Sequence, residues 1–354
     1  MVNKMHLKKM MYILFIIPFI CYANDNVISG VTWTDTDGNV INAHGGGIIE
    51  EHGIYYWFGE KRNVKGLINK VNVYSSRDLV HWKYNGLALD LSNLNIRHDL
   101  ERPKVIYSPK IQKYVMWMHI ELNGHYSTGK AGVAISDNIT GPYQFYNEYW
   151  PNPGVKPIMR DGDLKYKNTQ DADKSFSLYF KRGQMFRDMN TFVDDDGKAY
   201  VVYESEDNLS LQIAELTPDY LGFSGRYSRV LVGGRNEAPA LFKKDKKYYL
   251  ITSGLRGFSP NDARVSVSNS IFGPWKLKGN PARSSNKDLV DKTFYSQSTD
   301  VLEVNGMYIF LADRWNEKDL SSSSYVWLPI SWQNNIPFIV WKDKWLPSKY
   351  LTQK

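Results

Sequence analysis

The chain has 354 residues, 42% hydrophobic and 23% charged, which excludes a disordered or collagen-like polymer and leaves room for one large β domain or two ordinary ones. Its net charge of +7 is spread along the sequence without a Lys/Arg-rich run, so no nucleic-acid partner is expected. Aromatic residues make up 14%, with 11 Trp and 24 Tyr, an enrichment that suits β-structure and also clefts that stack on sugar rings.

The first element is a leader. Lys4, Lys8 and Lys9 precede an apolar stretch from Met10 to Ile20, and Cys21-Tyr22-Ala23 offers a small residue before a cut. This reads as a secretory signal peptide over 1–23, too short to span a bilayer. Secretion or export to a periplasm is expected, with lipid attachment at Cys21 as a second reading that the bulky Ile20 disfavours. Cys21 is the single cysteine, so the mature chain has no disulfide. Removing the leader takes three of 44 basic residues and none of the 37 acidic ones, and the charge falls to +4.

From residue 44 onward one arrangement recurs: HGGGIIEEHGIYYWFGE, ERPKVIYSPKIQKYVMWMH, DMNTFVDDDGKAYVVYE, EAPALFKKDKKYYLITS and QSTDVLEVNGMYIFLAD. Each has a polar head, a short apolar run, a turn, and a second run led by Tyr. Head-to-Tyr spacings are 11 for His44–Tyr55, 13 for Glu101–Tyr114, 12 for Asp188–Tyr200, and 11 for both Glu237–Tyr248 and Gln297–Tyr308. VNVYSSRDLVHW, AGVAISDNITGPY and ARVSVSNSIFGPW supply a third run with a closing aromatic. A unit of this kind is a four-stranded antiparallel sheet, and five such units predict an all-β, single-domain five-bladed propeller over 24–354. The interval 143–185 predicts an excursion between blades, with SFSLYF at 175–180 as an added strand. The DDDG run at 194–197 reads as a hairpin turn without calcium.

Innermost strands of a propeller line its axis, so the five heads converge on one mouth. Three of them, Glu101, Asp188 and Glu237, are carboxylates. Gathered carboxylates provide a proton donor for a leaving oxygen, a group that orients it, and activation of water. Phosphate-loop and nucleophile-elbow motifs are absent, and no metal or cofactor is expected.

Through these blocks, together with YYLITSGLRGF, YSQSTDV and LADRWN, the chain resembles glycoside hydrolase family 43, and within it the exo-β-1,3-galactanases. The resemblance implies inverting hydrolysis that releases galactose from β-1,3-galactan by a monomeric enzyme. Glu237 becomes the general acid and Asp188 the carboxylate that tunes it. Glu101, Arg102 and Glu60 become contacts to the sugar. His44, a sugar contact or a packing histidine, stands where most members carry an aspartate base, and Gln297 is then the residue facing water, with Glu101 as the rival base. An amide has negligible basicity. Tyr126, Arg314 and Trp315 are expected to wall the site. Two other readings remain: a glycosidase for terminal galactofuranose or arabinofuranose, and a carbohydrate-binding propeller without catalysis.

Overall fold

The computed structural model describes residues 25–63, 68–161 and 166–351; the leader and Cys21 lie outside them. Five antiparallel sheets follow one another along the chain, each built on four strands in sequence order. The innermost strands are β1 (His44–Glu51), β2 (His98–Ser108), β3 (Met189–Val193), β4 (Asn236–Lys244) and β5 (Gln297–Val304). Among the described residues no helix is long and apolar enough to cross a membrane.

Blades stack face to face, so their middle strands are buried on both sides. This explains the continuous apolar runs Val115–Met118 and Val201–Tyr203 where a one-sided sheet would alternate. The tyrosine that leads each second strand has a further role. The hydroxyl of Tyr114 donates to Glu51, that of Tyr248 to Asp194 at 2.5 Å, and that of Tyr308 to the carbonyl of Lys243 at 2.9 Å. Each bond runs from one blade to the hairpin of the preceding blade. Asp194 of the DDDG turn also receives Lys243, so the turn is an anchor between blades.

The excursion between blades two and three holds no strand at SFSLYF. Thr169–Tyr179 forms a helix, α1, in which Ala172 and Ser175 are buried and Phe176 lies beneath the Arg229 guanidinium. The alternation that suggested a strand conceals buried positions spaced three and four apart, the helical period. The excursion instead adds Met159–Arg160, parallel to the outer strand of blade three.

The ring closes between blades one and five. Val27–Ile28 pairs with Lys344–Trp345, and the Tyr325 hydroxyl donates to the carbonyl of Ile41 and accepts from the amide of Ala43, both at 3.0 Å. Trp33, Trp57, Trp82, Tyr325 and Trp327 meet at this seam with ring centroids 4.7–6.2 Å apart.

Candidate active site

The heads are aimed by irregularities at the start of the innermost strands. In β1, β2, β4 and β5 the register slips just after the head, between His44 and Gly47, Glu101 and Lys104, Glu237 and Ala240, and Ser298 and Asp300. Gly45, Arg102 and Ala238, each following a head, take positive φ of 59°, 57° and 51°. Such bulges turn a side chain out of the ladder. Here they deliver side chains from separate sheets into one cavity of about 320 Å³, lined by residues that include Glu101, Arg102, Tyr126, Asp188, Glu237, Gln297 and Trp315.

Arg102 ties three blades together. Its guanidinium donates to Asp188 Oδ2 and Gln297 Oε1 at 2.8 Å each, and to the carbonyl of Ser298 at 3.0 Å. Asp188 Oδ2 also accepts the amide of Ala238 at 3.2 Å, which sets it beside Glu237. Glu237 Oε2 accepts the main-chain amide of Arg256 at 2.8 Å. Burial pushes the Glu237 carboxyl up, and the charge of Asp188 adds to this, reaching about 7. Gln297 is fixed on both sides of its amide. Oε1 accepts from Arg102 and from the Trp315 indole at 2.9 Å, and Nε2 donates to Ser253 Oγ at 3.1 Å. Burial raises the Glu101 carboxyl, but the hydrogen bond and charge of His119, with Arg62 and Arg102, outweigh it and hold the group at about 2.

Three expected sugar contacts lie elsewhere. Glu60 is 1% exposed beneath the cavity, where its Oε1 accepts the Arg102 amide at 2.8 Å and its Oε2 meets Arg62 at 2.5 Å. His44 is fully buried behind Trp315, stacked on Tyr325 at 5.3 Å, and burial with the Arg62 charge holds its ring down at about 3, hence neutral. Arg314 is spent on the carbonyls of Gly30 and Phe294, at 3.2 and 2.7 Å, outside the cavity wall. Successive residues face opposite sides where a strand ends, so Trp315, which follows the strand Met307–Arg314 into the cavity, leaves Arg314 pointing away.

Several cavity residues carried no signal in the sequence. Arg62 sits beside exposed Lys61 in what resembles a solvated charge pair, yet it is 4% exposed with its guanidinium 4.9 Å over the Trp315 ring. Leu255, Gly257 and Phe258 come from the loop after Lys247–Gly254, and Asn208 from a tight turn. Glu204 is 1% exposed, and burial, then the charges of Asp188 and Glu237, push it well above the usual carboxylate range. Its signal was a lone Glu closing the apolar run AYVVY. Among the described residues no group of three or more His, Cys, Asp or Glu is arranged to hold a metal ion.

The sequence profile of glycosyl hydrolases family 43 matches residues 168–316. The extracellular endo-α-(1→5)-L-arabinanase 2 of Bacillus subtilis is 27% identical over 266 residues, covering 68% of this chain and 51% of the arabinanase. The chain thus spans about half the length of the first curated relatives it matches. Two solved structures are much more similar. An exo-β-1,3-galactanase from Clostridium thermocellum superposes with a TM-score of 0.78 at 33% identity, over 91% of this chain and 66% of that one. A family 43 β-1,3-galactosidase with galactodeoxynojirimycin superposes with a TM-score of 0.84. It is 45% identical, covering 90% of this chain and 99% of that one, and on this likeness the present chain belongs to glycoside hydrolase family 43.

Proposed function

We propose that this protein is an inverting, exo-acting glycoside hydrolase that releases galactose from the non-reducing end of β-1,3-galactan. The carrying observation is Glu237, a carboxyl raised to about 7 beside Asp188 in a cavity shared with Gln297. Similarity to a β-1,3-galactosidase and to exo-β-1,3-galactanases supports the choice of sugar and linkage. The Arg102 guanidinium, bonded to groups of the third and fifth blades, spans the ring at this cavity, and the exo mode of action rests on the likeness to exo-β-1,3-galactanases.

In this reading Glu237 protonates the departing oxygen. Its Oε2 accepts the Arg256 main-chain amide, which holds the carboxyl in place in the cavity. Asp188 raises the donor's pKa by like charge and is itself held by Arg102. Water attacks the anomeric carbon from the opposite face as that carbon's bond to the departing oxygen breaks, the proton shed by the attacking water passes to solvent water, and inversion follows. Gln297 orients the site. Both lone pairs of its Oε1 are already used, so it accepts from water only by releasing Arg102 or Trp315. Secretion by a leader over 1–23 belongs to the same proposal, in keeping with the extracellular arabinanase relatives.

Linear β-1,3-galactan tests it. Galactose is the expected sole product, first appearing as the α-anomer by proton NMR. Glu237→Gln is expected to lower turnover by roughly 10²-fold or more without loss of folding. A β-configured first product sinks inversion, and release from α-1,5-arabinan but not galactan sinks the substrate.

A further inference from the structure

Behind Glu101 runs a buried line of charge that the mechanism above leaves unused. His119, on the strand Lys113–Leu122, has no exposure. Its Nδ1 lies 3.2 Å from Glu101 Oε2 and its Nε2 lies 3.0 Å from Glu121 Oε1. An ionised carboxylate only accepts hydrogen bonds, so a ring between two of them is satisfied on both sides only when both nitrogens carry protons. Glu121 is bound as an anion, since its Oε2 accepts the amides of Ser127, Thr128 and Gly129 at 2.9, 2.6 and 3.2 Å. Those amides begin just after Tyr126, the aromatic wall of the cavity. Tyr126 packs edge-on against the His119 ring at 5.5 Å and lies under the Arg187 guanidinium at 4.3 Å.

Of the charged or titratable groups around this ring, the two carboxylates favour the imidazolium and are nearest, and the guanidiniums that oppose it stand behind them. Glu101 and Glu121 flank it, Tyr126 meets its face, Arg187 lies 3.7 Å from Glu121, and Arg62 lies 3.5 Å from Glu101, with Arg102 beyond. Burial lowers the imidazole, but the hydrogen bonds it donates to both carboxylates and their charges exceed it and raise the ring to about 9.

We propose that His119, held as an imidazolium between Glu101 and Glu121, is the positioning residue that keeps Glu101 charged in the cavity and braces the Tyr126 wall against it. Deprotonation then loosens both at once. The folded ring is raised above its free value near 6.5, so its stabilisation is complete below that pH and is lost as pH rises through about 9. The part of Glu101 as a sugar contact rests on the proposed function; the charge of His119 does not.

Two measurements separate these. In the full chain labelled with ¹⁵N-histidine, the resonances that vanish in His119→Gln should show both ring nitrogens protonated at pH 7 and 8. A neutral ring at pH 7 overturns the proposal by itself. Binding of β-1,3-galactobiose by calorimetry is read in Glu237→Gln, whose hydrolysis is slower by roughly 10²-fold or more and which carries no titrating group at that position. Its Kd should stay level to about pH 8 and weaken roughly tenfold by pH 10, as expected for a lost charge-assisted hydrogen bond. Adding His119→Gln should weaken binding roughly tenfold at pH 7 and abolish the alkaline loss. An unchanged Kd across this range overturns the positioning role. No binding at any pH, with the imidazolium observed, overturns the substrate reading and the sugar-contact role that rests on it.

Discussion

Glu237 is poised by two causes of different origin, and they separate experimentally. Burial is fixed by the walls of the cavity, whereas the like charge comes from Asp188 alone. In the proposed reaction the acid Glu237 must hold its proton, so kcat/KM is expected to be level below and to fall above a limb near pH 7. Asp188→Asn keeps the shape and removes the charge. It should move the limb to lower pH without returning it to the ordinary carboxylate value, because burial remains, and it should lower kcat as well. A limb that stays in place in Asp188→Asn would mean that Asp188 does not tune the acid. Arg102 fits the same picture. Its three bonds join Asp188, Gln297 and Ser298, so it fixes the positions of Asp188 and Gln297 relative to each other.

The innermost strands show how much a strand can specify when regular pairing is broken at one end. The bulge in β1 contains Gly45-Gly46-Gly47. A Cβ on Gly46 would lie 1.9 Å from the Phe58 carbonyl oxygen and 3.1 Å from the Gly59 Cα. Both neighbours are backbone, so neither can turn aside. Gly46→Ala is expected to cost about 3 kcal/mol or more in denaturant unfolding, and a change under about 1 kcal/mol would show that β1 has room to move. The polar heads and Tyr-led strands were legible because the blades solve the same problems, each with an inward polar end and three of them, the second, fourth and fifth, with a Tyr hydroxyl that fastens it to its neighbour. The residue that a bulge re-aims was not. Period-2 alternation predicts which face a side chain takes only while the register holds, and Glu60 and His44 face β1's slip directly. Arg62 was hidden for another reason. Its burial depends on Trp315, from the far end of the chain, and nothing near residue 62 announces that contact. Helix α1 was missed because a short polar segment offers both periods at once.

At the scale of the whole molecule, a ring built from consecutive sheets has one joint that chain continuity does not supply. That joint lies between blades one and five, and both bring parts of the site: Arg62 from the first, Gln297 and Trp315 from the fifth. Among the described residues only the two-residue pairing of Val27–Ile28 with Lys344–Trp345 crosses it as β-structure. The aromatic cluster must therefore carry the joint by packing. Trp327 is 2% exposed, contacts Trp33, Trp57 and Trp82, and accepts the Trp345 indole N–H on its carbonyl at 2.7 Å. Trp327→Ala leaves that carbonyl bond and deletes the ring, and is expected to cost about 3–5 kcal/mol. Trp327→Phe, which keeps an aromatic face, should cost clearly less. Because the joint lies under Trp315, the alanine variant should also lose kcat/KM at temperatures below its own midpoint, where the remaining blades are still folded. A loss below about 1 kcal/mol for Trp327→Ala, read from the unfolding midpoint, would mean that the seam is closed by the terminal strand pair and Tyr325, and that the cluster only fills space.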